Sequence, residues 1–319
     1  MTADPGIGGE DNADRFAAAL AMADFAEQNG FDHVSLEEHH CAENGWLPSP
    51  LTMAAMIAAR TERVSIGVTA LLVTLYDPVR LAEDIAVIDL VARGRFSFVA
   101  GQGYRPVEYH ALDKDWLNRG QAMDELVDTL LKAWSGEPFE YKGQTIRVTP
   151  TPYSQPHPPF FIGGMSSRAA RRAARFGLPF YPPMPRPDLE QVYYQALEEY
   201  GNKGFYYAPD AENAMTFLHE HPDLAWEQLG SYFLQEMREY SNWKVDGVKR
   251  PSEMPVCSID DVRQSGRFEI ITPSQCVARF TENPGATLVF HPLAGGVPLE
   301  QAWQSLKLYR DQVRPAIAR

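Results

Sequence analysis

Helical and strand-like segments alternate along nearly the whole chain, and this constrains the fold more than any single motif. An Ala-rich helix over residues 13–28, stopped by Asn29-Gly30, leads into a strand at 31–36. Residues 50–61 read as a helix, and 64–73 as a strand rich in β-branched residues. Asp77-Pro78 supplies an N-cap and an N1 proline for a helix to about residue 91. Strands at 96–100, 158–162, 178–181, 215–218 and 287–291 then alternate with helices at 116–134, 166–176, 187–200, 223–240 and 299–313. The polar stretch 135–149 suits a short hairpin, and 241–273 reads as an irregular insertion. Such alternation implies an α/β fold with a parallel sheet and right-handed crossovers. At 319 residues, one domain spanning 1–319 and closed as a (β/α)8 TIM barrel is the leading architecture. The strand count is seven, and the chain opens on the polar, turn-like Met1-Thr2-Ala3-Asp4-Pro5-Gly6. The expectation is therefore a first barrel strand missing or replaced at the N-terminus, with an exposed edge beside 31–36.

Composition narrows the function classes. Hydrophobic residues make up 45% and charged residues 22%, as in a globular protein. A net charge of −13 argues against nucleic-acid or anionic-membrane partners. No apolar run approaches the ~20 residues that span a bilayer, and no signal peptide is visible. Cys41, Cys257 and Cys276 are widely spaced and odd in number, which suits a reducing compartment, and a cytoplasmic enzyme is the expectation.

Four motifs carry candidate chemistry. Glu37-Glu38-His39-His40 stands at the end of the first strand-like run, where clustered acids and imidazoles are costly to bury without partners. The alternatives there are a hydrogen-bonded loop cluster, a metal site completed by Cys41, or a neutral imidazole that protonates or positions a reactive group. Neighbours on a strand alternate faces, and no second histidine pair occurs at helical spacing, so no metal is expected. Gly163-Gly164-Met165-Ser166-Ser167, between a strand and a helix, suits a phosphate at the helix N-terminus, with Arg119 and Arg168 as cationic partners. A plain capping loop is the bland alternative, and Arg168, Arg171, Arg172 and Arg175 could equally form a solvated face. Gly101-Gln102-Gly103-Tyr104-Arg105-Pro106 leaves room for a flat ligand walled by Tyr104, or is a tight turn needing positive φ. Thr69-Ala70, inside its strand, leaves space for a ring system or packs closely against a helix.

These pieces, in this order, resemble the bacterial luciferase-like flavin monooxygenases from about Phe25 to the C-terminus. Further carriers are Gly30-Phe31-Asp32, Ala59-Arg60-Thr61-Glu62-Arg63, Asp77-Pro78-Val79-Arg80-Leu81-Ala82-Glu83-Asp84, Asp89-Leu90 and Gly94-Arg95-Phe96. Trp134-Ser135-Gly136-Glu137-Pro138, Pro156-His157-Pro158-Pro159 and Arg171-Arg172-Ala173-Ala174-Arg175-Phe176-Gly177 complete the run. The resemblance implies a (β/α)8 barrel binding reduced FMN, or the related deazaflavin coenzyme, at the C-terminal face. It places the active-site histidine at His39, flanked by Glu38 and His40. Phosphate-binding residues fall on Arg119, Met165 and Ser166, beside the candidate cofactor-binding Gly164, and a non-proline cis peptide falls between Thr69 and Ala70. Two positions depart from the family pattern: Gly101 stands where luciferase has a reactive cysteine, and Gln102 replaces a phosphate-binding arginine.

The expected activity is oxygenation of a small organic substrate with reduced FMN, supplied by a separate flavin reductase, and O2. Hydride transfer with deazaflavin on the same fold, or a non-catalytic flavin-binding subunit, are the alternatives. Gly101-Gln102-Gly103 lacks the third glycine of a dinucleotide fingerprint, so oxidation of NADH in this chain is not expected. A homodimer is expected through the helices at 54–60 and 81–91.

Overall fold

The structure, a computed structural model, describes residues 2, 8–209, 214–243, 245 and 256–317. Helix α1 (Gly9–Gln28) ends at Gly30, whose φ of +78° suits glycine, and hands the chain to β1 (His33–Leu36). Next come α2 (Pro50–Arg60), β2 (Ser65–Leu71), α3 (Pro78–Ala92) and β3 (Phe96–Ala100). Asp77 caps α3 by accepting from the amides of Val79 and Arg80, as its sequence predicts. Beyond β3 lie α4 (Pro106–Ala111), α5 (Arg119–Trp134) and a hairpin of β4 (Phe139–Tyr141) and β5 (Gln144–Ile146). Then β6 (Phe160–Gly163), α6 (Ser167–Phe176), β7 (Phe180–Tyr181) and α7 (Pro187–Tyr200) follow. The C-terminal part holds β8 (Met215–Leu218), α8 (Pro222–Asn242), α9 (Ile259–Ser265), β9 (Phe268–Ile271), α10 (Pro273–Glu282), β10 (Val289–Phe290), α11 (Leu299–Leu308) and α12 (Arg314–Ile317).

The strands form a five-stranded parallel sheet, β1-β2-β3-β6-β7, and a three-stranded parallel sheet, β10-β8-β9. No ladder joins the two among the described residues, and side chains bridge them instead. The Phe31 ring lies 5.5 Å from Phe290 and 4.7 Å from Tyr309. Among the described residues β1 pairs only with β2, so the edge expected beside this strand is present there.

Two sequence readings need correction. Residues 259–271 are not irregular: a capping box of Ser258 and Asp261 starts α9, and Phe268–Ile271 forms β9 alongside β8. This raises the parallel strands to eight without any strand before α1 among the described residues. Residues 244 and 246–255 of the same stretch lie outside the described residues. The helix read over 116–134 starts at Arg119, and the separate short helix α4 precedes it.

Beneath the first sheet, Phe98 stacks on Phe160 at 5.0 Å and Trp134 closes over both. Trp134 Nε1 donates to the Ala82 carbonyl at 3.0 Å, which satisfies its one polar atom inside the core. This packing ties α3 and α5 to β3 and β6.

Candidate active site

The register Leu36↔Val68 sets Glu38 and His39, just past β1, level with the end of β2. Glu38 is 2% exposed and fully engaged. Its Oε2 accepts from the Leu72 amide at 2.5 Å, and its Oε1 accepts from Tyr76 Oη at 2.5 Å and pairs with His40 Nε2 at 3.0 Å. Burial, and then the Glu38 charge, push the Tyr76 phenol well above its ordinary pKa, so it remains a donor. Glu38 thus fastens the end of β1 to the segment after β2.

His39 is 6% exposed, and its Nδ1 lies 2.9 Å from Glu108 Oε1. The same oxygen accepts from the His40 amide at 3.1 Å and Arg105 Nη1 at 3.1 Å. A carboxylate oxygen accepts, so this contact places a hydrogen on Nδ1; in a neutral imidazole Nε2 is then the acceptor. Tyr104 Oη faces that Nε2 at 3.3 Å. Burial, and then the neighbouring Tyr240, push the Tyr104 phenol far above its ordinary pKa, keeping its proton in place to donate. Arg105 Nη1 also donates to the His40 carbonyl at 2.6 Å, and its guanidinium lies 4.0 Å over the Trp243 ring. Two acid–imidazole pairs result, each imidazole held by its own carboxylate.

At the ends of β2 and β3 small residues pack directly against each other. The Thr69-Ala70 peptide is cis, at the position the resemblance implied. A Cβ on Gly101 would lie 2.9 Å from the Ala70 Cβ, so glycine is needed there for close approach rather than for positive φ. Gly103, with φ +72°, is the turn glycine of the pair. Gln102 Nε2 donates to the Arg119 carbonyl at 3.1 Å, tying the end of β3 to the start of α5.

The Gly163-Gly164 turn closes tightly onto α6: a Cβ on Gly164 would meet the Ala169 Cβ at 2.6 Å. Ser166 caps α6 by accepting from the Ala169 amide at 3.3 Å. Ser166, Ser167 and Arg168 are exposed, Met165 is half-buried, and the first helical amides have no intrahelical acceptor. Arg119 stacks 3.8 Å over Trp116 and donates to the Trp116 carbonyl. Arg172, in contrast, is committed to Asp124 and the Gly120 carbonyl.

The sequence-predicted residues fall at four places. Glu38, His39 and His40 share one buried network, while Thr69, Ala70, Gly101 and Gln102 line the strand ends beside it. Gly164, Met165 and Ser166 form the turn into α6, and Arg119 opens α5. Sequence reasoning missed Glu108, along with Trp46, Tyr240 and Trp243, whose rings surround His39. The signal for Glu108 was Pro106 at the first helical position, directly after the strand-end loop. Two surface clefts, lined by Asp24, Glu27, Gln28 and Arg60 and by neighbouring residues from Gly30 to Ser65, lie at the other end of β1 and are a separate feature.

The chain belongs to the luciferase-like monooxygenase family, whose model matches residues 1–283. The alkanal monooxygenase alpha chain of Photorhabdus laumondii is 30% identical over 166 residues, covering 50% of this chain and 46% of that one. The chain thus spans about half the length of the curated relatives it matches. Monooxygenase RslO1 from Streptomyces bottropensis superposes with a TM-score of 0.74 at 23% identity, over 98% of this chain and 97% of the other. The oxygenating constituent of 3,6-diketocamphane monooxygenase from Pseudomonas putida, solved with FMN, gives 0.66 at 18% identity, over 98% and 95%. These likenesses establish the luciferase-like (β/α)8 barrel fold. No helix among the described residues is long and apolar enough to cross a membrane.

Proposed function

We propose that this chain is the oxygenase of a two-component flavin system, acting on a small organic substrate with O2 and with reduced FMN from a separate reductase. The observation that carries the reading is the joint at the ends of β1, β2 and β3, where the small residues Ala70 and Gly101 pack against each other, Glu38 holds the Leu72 amide and Glu108 holds His39. Small residues at these strand ends suit the approach of a flat ring system. The residues present also fit the phosphate: exposed Ser166 and the first amides of α6 offer donors, and Arg119 a cation. When bound, reduced FMN supplies two electrons, so that one atom of O2 enters the substrate and the other leaves as water.

The chain's own residues bind, orient and exclude water. His39 Nε2 holds or moves a proton, with its tautomer fixed by Glu108. Tyr104, Tyr240, Trp46 and Trp243 keep water from it. Arg172 is engaged by Asp124, so of the pair that would suit the longer anionic tail of deazaflavin only Arg168 is exposed, and FMN is favoured. A homodimer through α2 and α3 belongs to the same reading, because Met56, Val87, Leu90 and Val91 are exposed there.

Anaerobic titration with reduced FMN and, in parallel, reduced deazaflavin tests the proposal. FMN binding that Ser166→Asp weakens by at least about tenfold supports it, since the added charge faces the phosphate. Binding of deazaflavin alone moves the function to hydride transfer, and binding of neither overturns both.

A further inference from the structure

Four buried polar atoms have no hydrogen-bond partner among the described residues: Trp46 Nε1, Arg105 Nε and Glu108 Oε2 in the His39 network, and Nδ2 of Asn44, whose Oδ1 accepts from the Trp46 amide. Their residues are 5%, 6%, 0% and 2% exposed. Unmet polar atoms at such depth are costly, and a cluster of them marks a place where something else supplies the partners. Three of the four are donors, so the partner carries acceptor oxygen.

The walls define its shape. The rings of Trp46, Tyr104, Tyr240 and Trp243 lie 5.2, 5.4, 6.2 and 4.6 Å from the His39 imidazole. Tyr240 and Trp243, from the last turn of α8 and its C-cap, are half-buried, whereas Trp46 and His39 are buried. The Trp243 ring covers both the imidazole and the Arg105 guanidinium, so movement of that one side chain opens a slot with aromatic walls. A flat ligand entering the slot replaces the edge-on contact with His39 and the cation–π contact with Arg105 that Trp243 gives up; a saturated chain does not.

We propose that this aromatic box is the substrate subsite and takes planar aromatic compounds bearing a carbonyl or carboxylate oxygen. Trp46 Nε1 and Asn44 Nδ2 donate to that oxygen, while Tyr240 and the displaced Trp243 wall the ring. The proposal rests on the flavin-monooxygenase reading and names the substrate class of the same site.

Calorimetric titration of the full chain without flavin tests it, using 2-acetylnaphthalene, 2-ethylnaphthalene and decanal as probes. The ketone is expected to bind about tenfold more tightly than the hydrocarbon, the worth of a buried hydrogen bond, and both more tightly than decanal. Trp46→Phe keeps the ring and removes the donor, so it erases the preference for the ketone while leaving the hydrocarbon unchanged. Trp243→Leu weakens both naphthalenes and spares decanal. Melting curves establish that the variants fold, and Asn44→Ala serves as the donor variant if Trp46→Phe does not. Equal binding of ketone and hydrocarbon, tightest binding of decanal, no binding, or an unchanged ratio in the donor variant overturns the proposal. A protein that prefers the ketone but does not bind reduced FMN supports the subsite and overturns the flavin reading. One that binds reduced FMN but not the ketone does the reverse.

Discussion

Glu108 and His39 lie 69 positions apart in the chain and 2.9 Å apart in space, with the contact wholly buried. The same Glu108 oxygen neutralises Arg105, so a single carboxylate orients the imidazole and offsets a buried guanidinium. Removing it as Glu108→Ala leaves that cation without its partner. The expected cost is about 3–5 kcal/mol of stability, read by chemical denaturation. Glu108→Gln keeps the shape and one acceptor oxygen, so it costs less. A Glu108→Ala midpoint equal to that of the parent would show that the carboxylate is dispensable.

His39→Gln should lower kcat by about 10²–10⁴, the range for a displaced acid–base group, with reduced-FMN affinity nearly unchanged. Single-turnover rates and flavin titration separate the two effects. A variant that loses flavin binding instead would make His39 a ligand-binding residue.

Acid should weaken the fold through Glu27, whose Oε2 accepts from the amides of Glu62, Arg63 and Val64 at 2.8, 2.7 and 3.1 Å. Burial acts to raise its pKa, but these bonds and the Arg63 charge outweigh it and hold the carboxyl below its ordinary 4.5. A lowered folded pKa contributes stability above the unfolded value and loses it as pH falls through the folded one. Glu269 acts with the same sign: its bonds to Arg279 and Thr216 overcome its own burial. Glu27→Gln should therefore flatten the stability curve over roughly pH 5 to 3. An unchanged slope would remove Glu27 from the account.

The thiols should separate by exposure. Burial pushes Cys276 up to about 11, while Cys41 and Cys257 are exposed. A thiol reagent near neutral pH should label Cys41 and Cys257 in the native protein and reach Cys276 only on unfolding. Mass mapping of labelled peptides checks this, and early label on Cys276 would contradict its burial.

Val87 and Val91, both 49% exposed on α3, should matter for association rather than folding. Sedimentation is expected to show a dimer for the parent chain and a monomer for Val87→Lys/Val91→Lys, with Tm nearly unchanged. A monomeric parent would rule out this interface.

Local sequence signals placed the elements well wherever a cap or a strong period existed, as at Asp77-Pro78 and Pro187–Tyr200. They also marked the strand-end cluster Glu38–His40 and the Gly163-Gly164 turn as distinct features, because strand ends and glycine turns are short-range signals. Glu108 escaped because its significance is a partner 69 residues away, reached from a six-residue helix. Tyr240 and Trp243 escaped for a related reason: nothing in a helix period says which distant loop its last turn will cover. β9 was hidden by neighbours without periodicity, although Gly266 and Thr272-Pro273 bracket it with ordinary stop and start signals.

The contact between Ala70 and Gly101 constrains how this chain can vary. Because a Cβ on Gly101 would lie 2.9 Å from that of Ala70, the two positions share one allotment of space. Luciferase's cysteine cannot be transplanted to position 101 by itself; room would first have to be surrendered at position 70. In descendants of this sequence the two sites should drift as a couple, and an enlargement at one without a retreat at the other should be rare.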